Sequence, residues 1–234
     1  MIMNKVKSGV SNKDQLPYDV MALFPLPIYK TNIGREFTKQ EQDELDIIIN
    51  EQLRAFEAER HLGVGLERYK AISIDKYLLK RKSFLSIQSF IEHHLKEFAT
   101  TVLGIDLDKT SWSPHITNSW LNVYTSKKFE SFHNHDNCII SGVFYINCLK
   151  GVEVSDKVYG YEQDGLWFAP SAHNMLELIN LPMGETQDTM FCDKPCRISA
   201  VEGDLILFPS TAKHGVSPNE TTDQTRISLA FNCI

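Results

Sequence analysis

Helical periodicity is confined to the first half of this chain and strand alternation to the second, and that segregation narrows the fold most. Thr38-Lys39-Gln40-Glu41 is a capping box. Behind it Leu45, Ile48, Ile49, Leu53 and Phe56 recur at helical spacing, which predicts a helix to about Arg60, ended by Gly63 and Gly65. A second helix is predicted from near Ser83. Ile87, Phe90, Ile91, Leu95, Phe98 and Val102 form its buried stripe, and Gly104 stops it. His93 and His94 on this helix point about 100° apart and read as solvated. Between the helices, residues 66–82 are ambiguous, with strand character around Ala71 to Ile74. After Pro114, strands are expected at Ile116 to Tyr124, Cys138 to Asn147, Leu166 to Ala169, Cys196 to Val201, Leu205 to Phe208 and Thr225 to Cys233. Glu202-Gly203-Asp204 is a tight turn between two of them. An early segment, Phe24-Pro25-Leu26-Pro27-Ile28-Tyr29, cannot be helical and fits an edge strand. Helices first and strands afterwards imply layers rather than βαβ units. The expected class is mainly β with flanking α: a jelly roll of two facing sheets, preceded by two helices packed on the outside of one sheet.

At 234 residues the chain suits one domain, and its 42% hydrophobic and 23% charged residues are a globular balance. Residues 1–17 read as a polar N-terminal arm. Residues 18–234 read as a single domain, with 18–114 a helical support region and 115–234 the β core. A net charge of −6 disfavours nucleic acid as a partner. Cys138, Cys148, Cys192, Cys196 and Cys233 are odd in number and irregular in spacing, so they read as free thiols in a reducing compartment. Cys192 and Cys196 lack the second pair that a zinc site needs. No run approaches the length of a membrane span and no leader is visible, so the expectation is a cytoplasmic protein. A homodimer is compatible with this reading.

The chemistry concentrates in Ser131-Phe132-His133-Asn134-His135-Asp136-Asn137. On an extended strand His133 and His135 leave the same face. His214 lies far downstream, and Arg226 is 12 residues beyond it. Two close ligands, one remote ligand and a late basic residue are how a facial-triad iron site is spread along a β-barrel. On the last strand Arg226, Ser228, Ala230 and Asn232 share one face, and Ile227, Leu229 and Phe231 share the other. Arg226 and Ser228 are spaced to hold one carboxylate, the guanidinium forking onto both oxygens. Trp120, Asn122 and Tyr124 share a face of an earlier strand. Any one of these histidines alone would read as an ordinary hydrogen-bonded residue; the ordered set does not.

The ordered motifs are Trp120-Leu121-Asn122-Val123, His133-Asn134-His135, Ser141-Gly142-Val143-Phe144-Tyr145, Phe208-Pro209, His214-Gly215-Val216-Ser217-Pro218-Asn219 and Arg226-Ile227-Ser228-Leu229-Ala230-Phe231-Asn232. In these the chain resembles the 2-oxoglutarate- and Fe(II)-dependent oxygenases, and the early Phe24-Pro25-Leu26-Pro27-Ile28 resembles their opening strand. The resemblance implies a cupin-like double-stranded β-helix. It implies Fe(II) held by the early pair and His214, with 2-oxoglutarate and O2 as cosubstrates. Arg226 would hold the distal carboxylate with Ser228 assisting. Tyr124, nine residues before His133, would contact 2-oxoglutarate, with Asn122 nearby on its face. The implied reaction couples oxidative decarboxylation of 2-oxoglutarate to hydroxylation of an unidentified substrate.

The departure from the common His-x-Asp motif leaves two ligand sets. In one, His133, His135 and His214 bind the metal. In the other, a bulge turns Asp136 inward and His135 stands behind it. Residues 151–177, with Tyr159, Tyr161, Trp167, Phe168 and His173, form either a lid or a surface excursion. Two rival readings are a cupin-like metalloenzyme that does not use 2-oxoglutarate, against which Arg226 and Ser228 argue, and a non-catalytic barrel that binds a partner.

Overall fold

The computed structural model describes residues 26–61, 71–150, 165–169 and 196–234. The N-terminal arm, Gly63, Gly65, Cys192 and most of residues 151–177 lie outside the described residues. Two antiparallel sheets face each other, and two helices cover one of them. The six-stranded sheet has the order β1 (Tyr29–Asn32), β8 (Asp204–Pro209), β5 (Ile140–Asn147), β10 (Arg226–Cys233), β3 (Ile116–Tyr124), β2 (Ala71–Ile72). The four-stranded sheet has the order β4 (Glu130–His133), β9 (His214–Val216), β6 (Leu166–Phe168), β7 (Cys196–Ile198). The edge strand expected over Phe24 to Tyr29 is displaced: Phe24 and Pro25 lie outside the described residues, Leu26, Pro27 and Ile28 form no strand, and β1 begins at Tyr29 and stands at the edge of the larger sheet.

Helix α1 (Lys39–His61) begins at the expected box: Thr38 N–H donates to Glu41 Oε2 at 2.7 Å and Glu41 N–H donates to Thr38 Oγ1 at 3.2 Å. Helix α2 (Leu85–Glu97) starts two residues later than its periodicity implies, after two short 3-10 turns, and runs on into a wider turn over Phe98–Val102. Gly104 follows at φ +70°, the conformation a stop residue needs. Val102, expected in the buried stripe, is 40% exposed, because the wider turn rotates it off that face. His94 also departs from expectation. It is half-buried, its Nδ1 is 2.7 Å from Tyr29 Oη, and burial lowers its pKa.

Strand alternation divides the interior in two. Leu205 and Leu207 of β8, Phe144 and Ile146 of β5, and Ile227, Leu229 and Phe231 of β10 pack under Leu45, Ile48, Ile87, Ile91 and Leu95 of the helices. The alternate residues, Ile206, Phe208, Val143 and Tyr145, meet Leu166 and Phe168 of the smaller sheet. Gly142 shows why a glycine stands in β5. A Cβ there would lie 2.2 Å from Phe231 Cζ and 2.8 Å from Leu207 Cδ2. Cys138, Cys148, Cys196 and Cys233 are free thiols, and burial pushes Cys233 up to about 12.

Candidate functional site

Between the sheets lies a cleft whose wall is the inward face of β3, β5 and β10. Register sets its rows. Tyr124 is opposite Arg226, Asn122 opposite Ser228, Trp120 opposite Ala230 and Asn118 opposite Asn232. Tyr145, Val143 and Ser141 flank the last three rows from β5.

The facing sheet supplies the histidines. His133, at the end of β4, is the direct cross-strand partner of His214, which opens β9. Neither short strand was evident from the sequence. His135 lies beyond β4 rather than on it, so it reaches the cleft from a loop and not by strand alternation. That loop is fixed at several points. His135 N–H donates to Ser210 O at 3.0 Å. Asn137 takes φ +60°, which Asn tolerates better than most residues, and turns the chain into β5. The His135 ring lies 5.9 Å from that of Trp120 and stacks at 7° on that of His214.

The three rings converge. One nitrogen from each of His133, His135 and His214 lies within 4.8 Å of the others, and the Nε2 atoms of His135 and His214 are 3.3 Å apart. The same local device orients two of them. His133 Nδ1 is 2.8 Å from Ser131 O, and His214 Nδ1 is 2.8 Å from Ala212 O, in each case the carbonyl two residues back. A carbonyl only accepts, so each Nδ1 carries the proton and each Nε2 keeps its lone pair. Phe208 and Phe168 wall His214 with ring centroids at 4.6 and 6.2 Å. Asp136 is exposed and does not join the cluster.

Arg226 occupies the deep end and is 1% exposed. Its guanidinium carbon sits 4.8 Å over the Tyr124 ring, and Nη2 donates to Ser217 O. Burial raises the Tyr124 pKa, with Arg226 opposing, so the phenol stays protonated at neutral pH. Ser228 and Asn122 are buried beside it, and Asn122 Oδ1 has no hydrogen-bond partner among the described residues. Glu130 also lines the cleft. Asn219, fully buried, donates to Tyr124 O at 2.9 Å and Gln224 O at 2.8 Å and so fixes the loop that leads into β10. Sequence reasoning gave no role to Ser217 or Asn219. Their signal was the polar run Ser217-Pro218-Asn219 between two site residues.

Residues 118–232 match the family described as "Putative 2OG-Fe(II) oxygenase". Among solved structures, the chain is similar to the non-heme alpha ketoglutarate dependent carbocyclase SnoK from nogalamycin biosynthesis, at 11% identity over 89% of this chain and 79% of that one, with a TM-score of 0.52. It is similar to the epimerase SnoN from the same biosynthesis at 12% identity over 89% of this chain and 78% of that one, with a TM-score of 0.51. At such identities the likeness is one of fold. A 2OG-Fe(II) oxygenase family oxidoreductase from Burkholderia pseudomallei matches at 12% identity over 67% of this chain, with a TM-score of 0.37; the chain covers 52% of that protein, about half its length. No curated protein sequence matches.

Proposed function

We infer that this chain, whose residues 118–232 match the 2OG-Fe(II) oxygenase family, is an Fe(II)- and 2-oxoglutarate-dependent dioxygenase that hydroxylates its substrate. The observation that carries the reading is the joint geometry of one cleft. Three histidine nitrogens converge at one end, and a buried guanidinium with a hydroxyl beside it waits at the other. The two facing sheets fit a double-stranded β-helix, with residues 18–114 as its support.

The donor set suits the metal. Imidazole is a good ligand for Fe(II), and two of the three rings already hold the tautomer that binding needs. His133, His135 and His214 would hold the ion through Nε2, with Asp136 outside the ligand set. When bound, Fe(II) with 2-oxoglutarate supplies the O2 activation by which a C–H bond is hydroxylated while the diacid is decarboxylated to succinate. A neutral triad leaves the centre one charge more positive than a triad with a carboxylate, which favours a dianionic cosubstrate.

The chain's other residues bind and orient. Arg226 would fork onto the distal carboxylate of 2-oxoglutarate, and Ser228 would add a hydroxyl bond. Ser217 and the face of Tyr124 keep the guanidinium in place in a low-dielectric cleft. Tyr124, held as a phenol, can donate to a carboxylate oxygen. Asn122 lies between Tyr124 and Trp120 on the same face, where its amide meets the cosubstrate. The test is anaerobic iron binding. We expect about one Fe(II) per chain, lost in His214→Ala. Iron bound equally well by His133→Ala and His214→Ala would contradict the site.

A further inference from the structure

The inward face of the larger sheet continues past the histidines. Beyond Trp120 its next residues are Asn118 and Asn232, opposite one another, with Ser141 beside Asn232. Exposure grows in that direction: Tyr124, Asn122 and Arg226 are buried, whereas Trp120, Asn118 and Asn232 are partly exposed. A molecule from solvent therefore meets this end first. A hydroxyl group orients one of the carboxamides: Ser141 Oγ donates to Asn232 Oδ1 at 3.0 Å, which turns Asn232 Nδ2 outward as a donor. Thr117 Oγ1 shares its one proton between Asn232 O at 3.2 Å and Asn118 Oδ1 at 3.3 Å, and Asn118 brings a second amide donor to the row.

Lys76 adds a charge at the same level. Its carbonyl accepts Ser119 N–H at 2.7 Å, and Tyr77 next to it bridges to Ser119, which anchors the lysine beside β3. Its ammonium lies 6.0 Å from the Trp120 ring centroid, and that ring borders His135. Among the described residues Lys76 has no carboxylate partner, since neighbouring Asp75 is taken by Arg81 Nε at 2.9 Å. The residue is exposed, and the partial burial of its ammonium lowers its pKa. A cation, two amide donors and an indole wall complement a group that is negatively charged and rich in acceptors. The cosubstrate does not need them, because Arg226 serves its free carboxylate at the opposite end.

We propose that the substrate carries a carboxylate or phosphate group held at the cleft mouth by Lys76, Asn118 and Asn232, with its body against Trp120. That this molecule is the one oxidised rests on the oxygenase reading; the anion site itself does not. The experiment titrates wild type and Lys76→Met with phenylacetate, phenyl phosphate and neutral phenylacetamide, following tryptophan fluorescence, with and without Fe(II) and 2-oxoglutarate under nitrogen. One or both acids should bind wild type about tenfold or more tightly than the amide, and Lys76→Met should erase that preference while keeping the wild-type affinity for 2-oxoglutarate. The order of the two acids distinguishes a carboxylate substrate from a phosphate one. Equal binding of acid and amide, an acid preference that survives in Lys76→Met, or no binding of either acid overturns the proposal. Lys76-dependent acid binding in a protein that takes up no 2-oxoglutarate would sink the oxygenase reading and leave the anion site standing.

Discussion

Replacing Arg226 separates the oxygenase reading from a metal barrel that has no use for 2-oxoglutarate. The side chain is 1% exposed, packs over Tyr124 and donates to the Ser217 carbonyl, so its position is set before any ligand arrives. In Arg226→Ala a carboxylate entering the deep end is desolvated without its partner. The loss for a buried charge pair is about 2–5 kcal/mol. That corresponds to binding about 30-fold to several thousand-fold weaker. Arg226→Lys should recover only part of the affinity, because an ammonium cannot fork onto two oxygens. Removing so large a buried side chain also leaves a void, so thermal unfolding is recorded for both variants, and Arg226→Lys carries the test if the alanine variant does not fold. The assay is calorimetric titration of Fe(II)-loaded protein with 2-oxoglutarate under nitrogen, beside an iron titration without cosubstrate. Iron affinity should barely change. A folded Arg226→Ala protein with wild-type affinity for 2-oxoglutarate would refute the assignment.

His135→Ala should abolish metal binding and Asp136→Ala should leave it near wild type, as the convergence of His135 with His214 and the exposure of Asp136 require; iron titration showing the reverse would make Asp136 the ligand. Gly142→Ala should cost about 1–3 kcal/mol, read as a fall of several degrees in Tm, because its new methyl group enters the Phe231 ring. Glu41 is buried, which alone would raise its pKa, but its bonds to Arg35 and Thr38 outweigh that and the net shift is downward. A lowered folded pKa contributes stability above the unfolded carboxylate range and loses it as pH falls through the folded value. Glu41→Gln should therefore be less stable near neutral pH by about 1–3 kcal/mol, with the gap closing in denaturation curves taken below about pH 4.

The sequence was most legible where one local rule acts alone. The Thr38–Glu41 box, the α1 stripe and the β3, β5 and β10 spans follow from capping and alternation, and the register of β3 against β10 places Asn122, Tyr124, Arg226 and Ser228 on one wall. Legibility failed where tertiary contacts override local pattern. The strands β4 and β9 are too short for alternation to mark them, and they exist because they pair with each other. His135 reaches the cleft through a loop held by Ser210, which no strand rule anticipates. His94 looked solvated because its partner, Tyr29, is remote in sequence. Gly142 has no local reason in its motif, because the Phe231 ring that excludes a Cβ there is remote in sequence. Lys76 carried no signal, since its importance lies in what it approaches across Ser119.

The most direct measurement is a 2-oxoglutarate titration of the Fe(II)-loaded wild-type protein under nitrogen, following the visible charge-transfer band of the chelate. A saturable band at about one 2-oxoglutarate per iron is expected, because the histidine cluster and Arg226 face one cleft from opposite ends. An iron-loaded protein that shows neither the band nor saturable binding would contradict the oxygenase reading and return the site to a metal barrel of another kind.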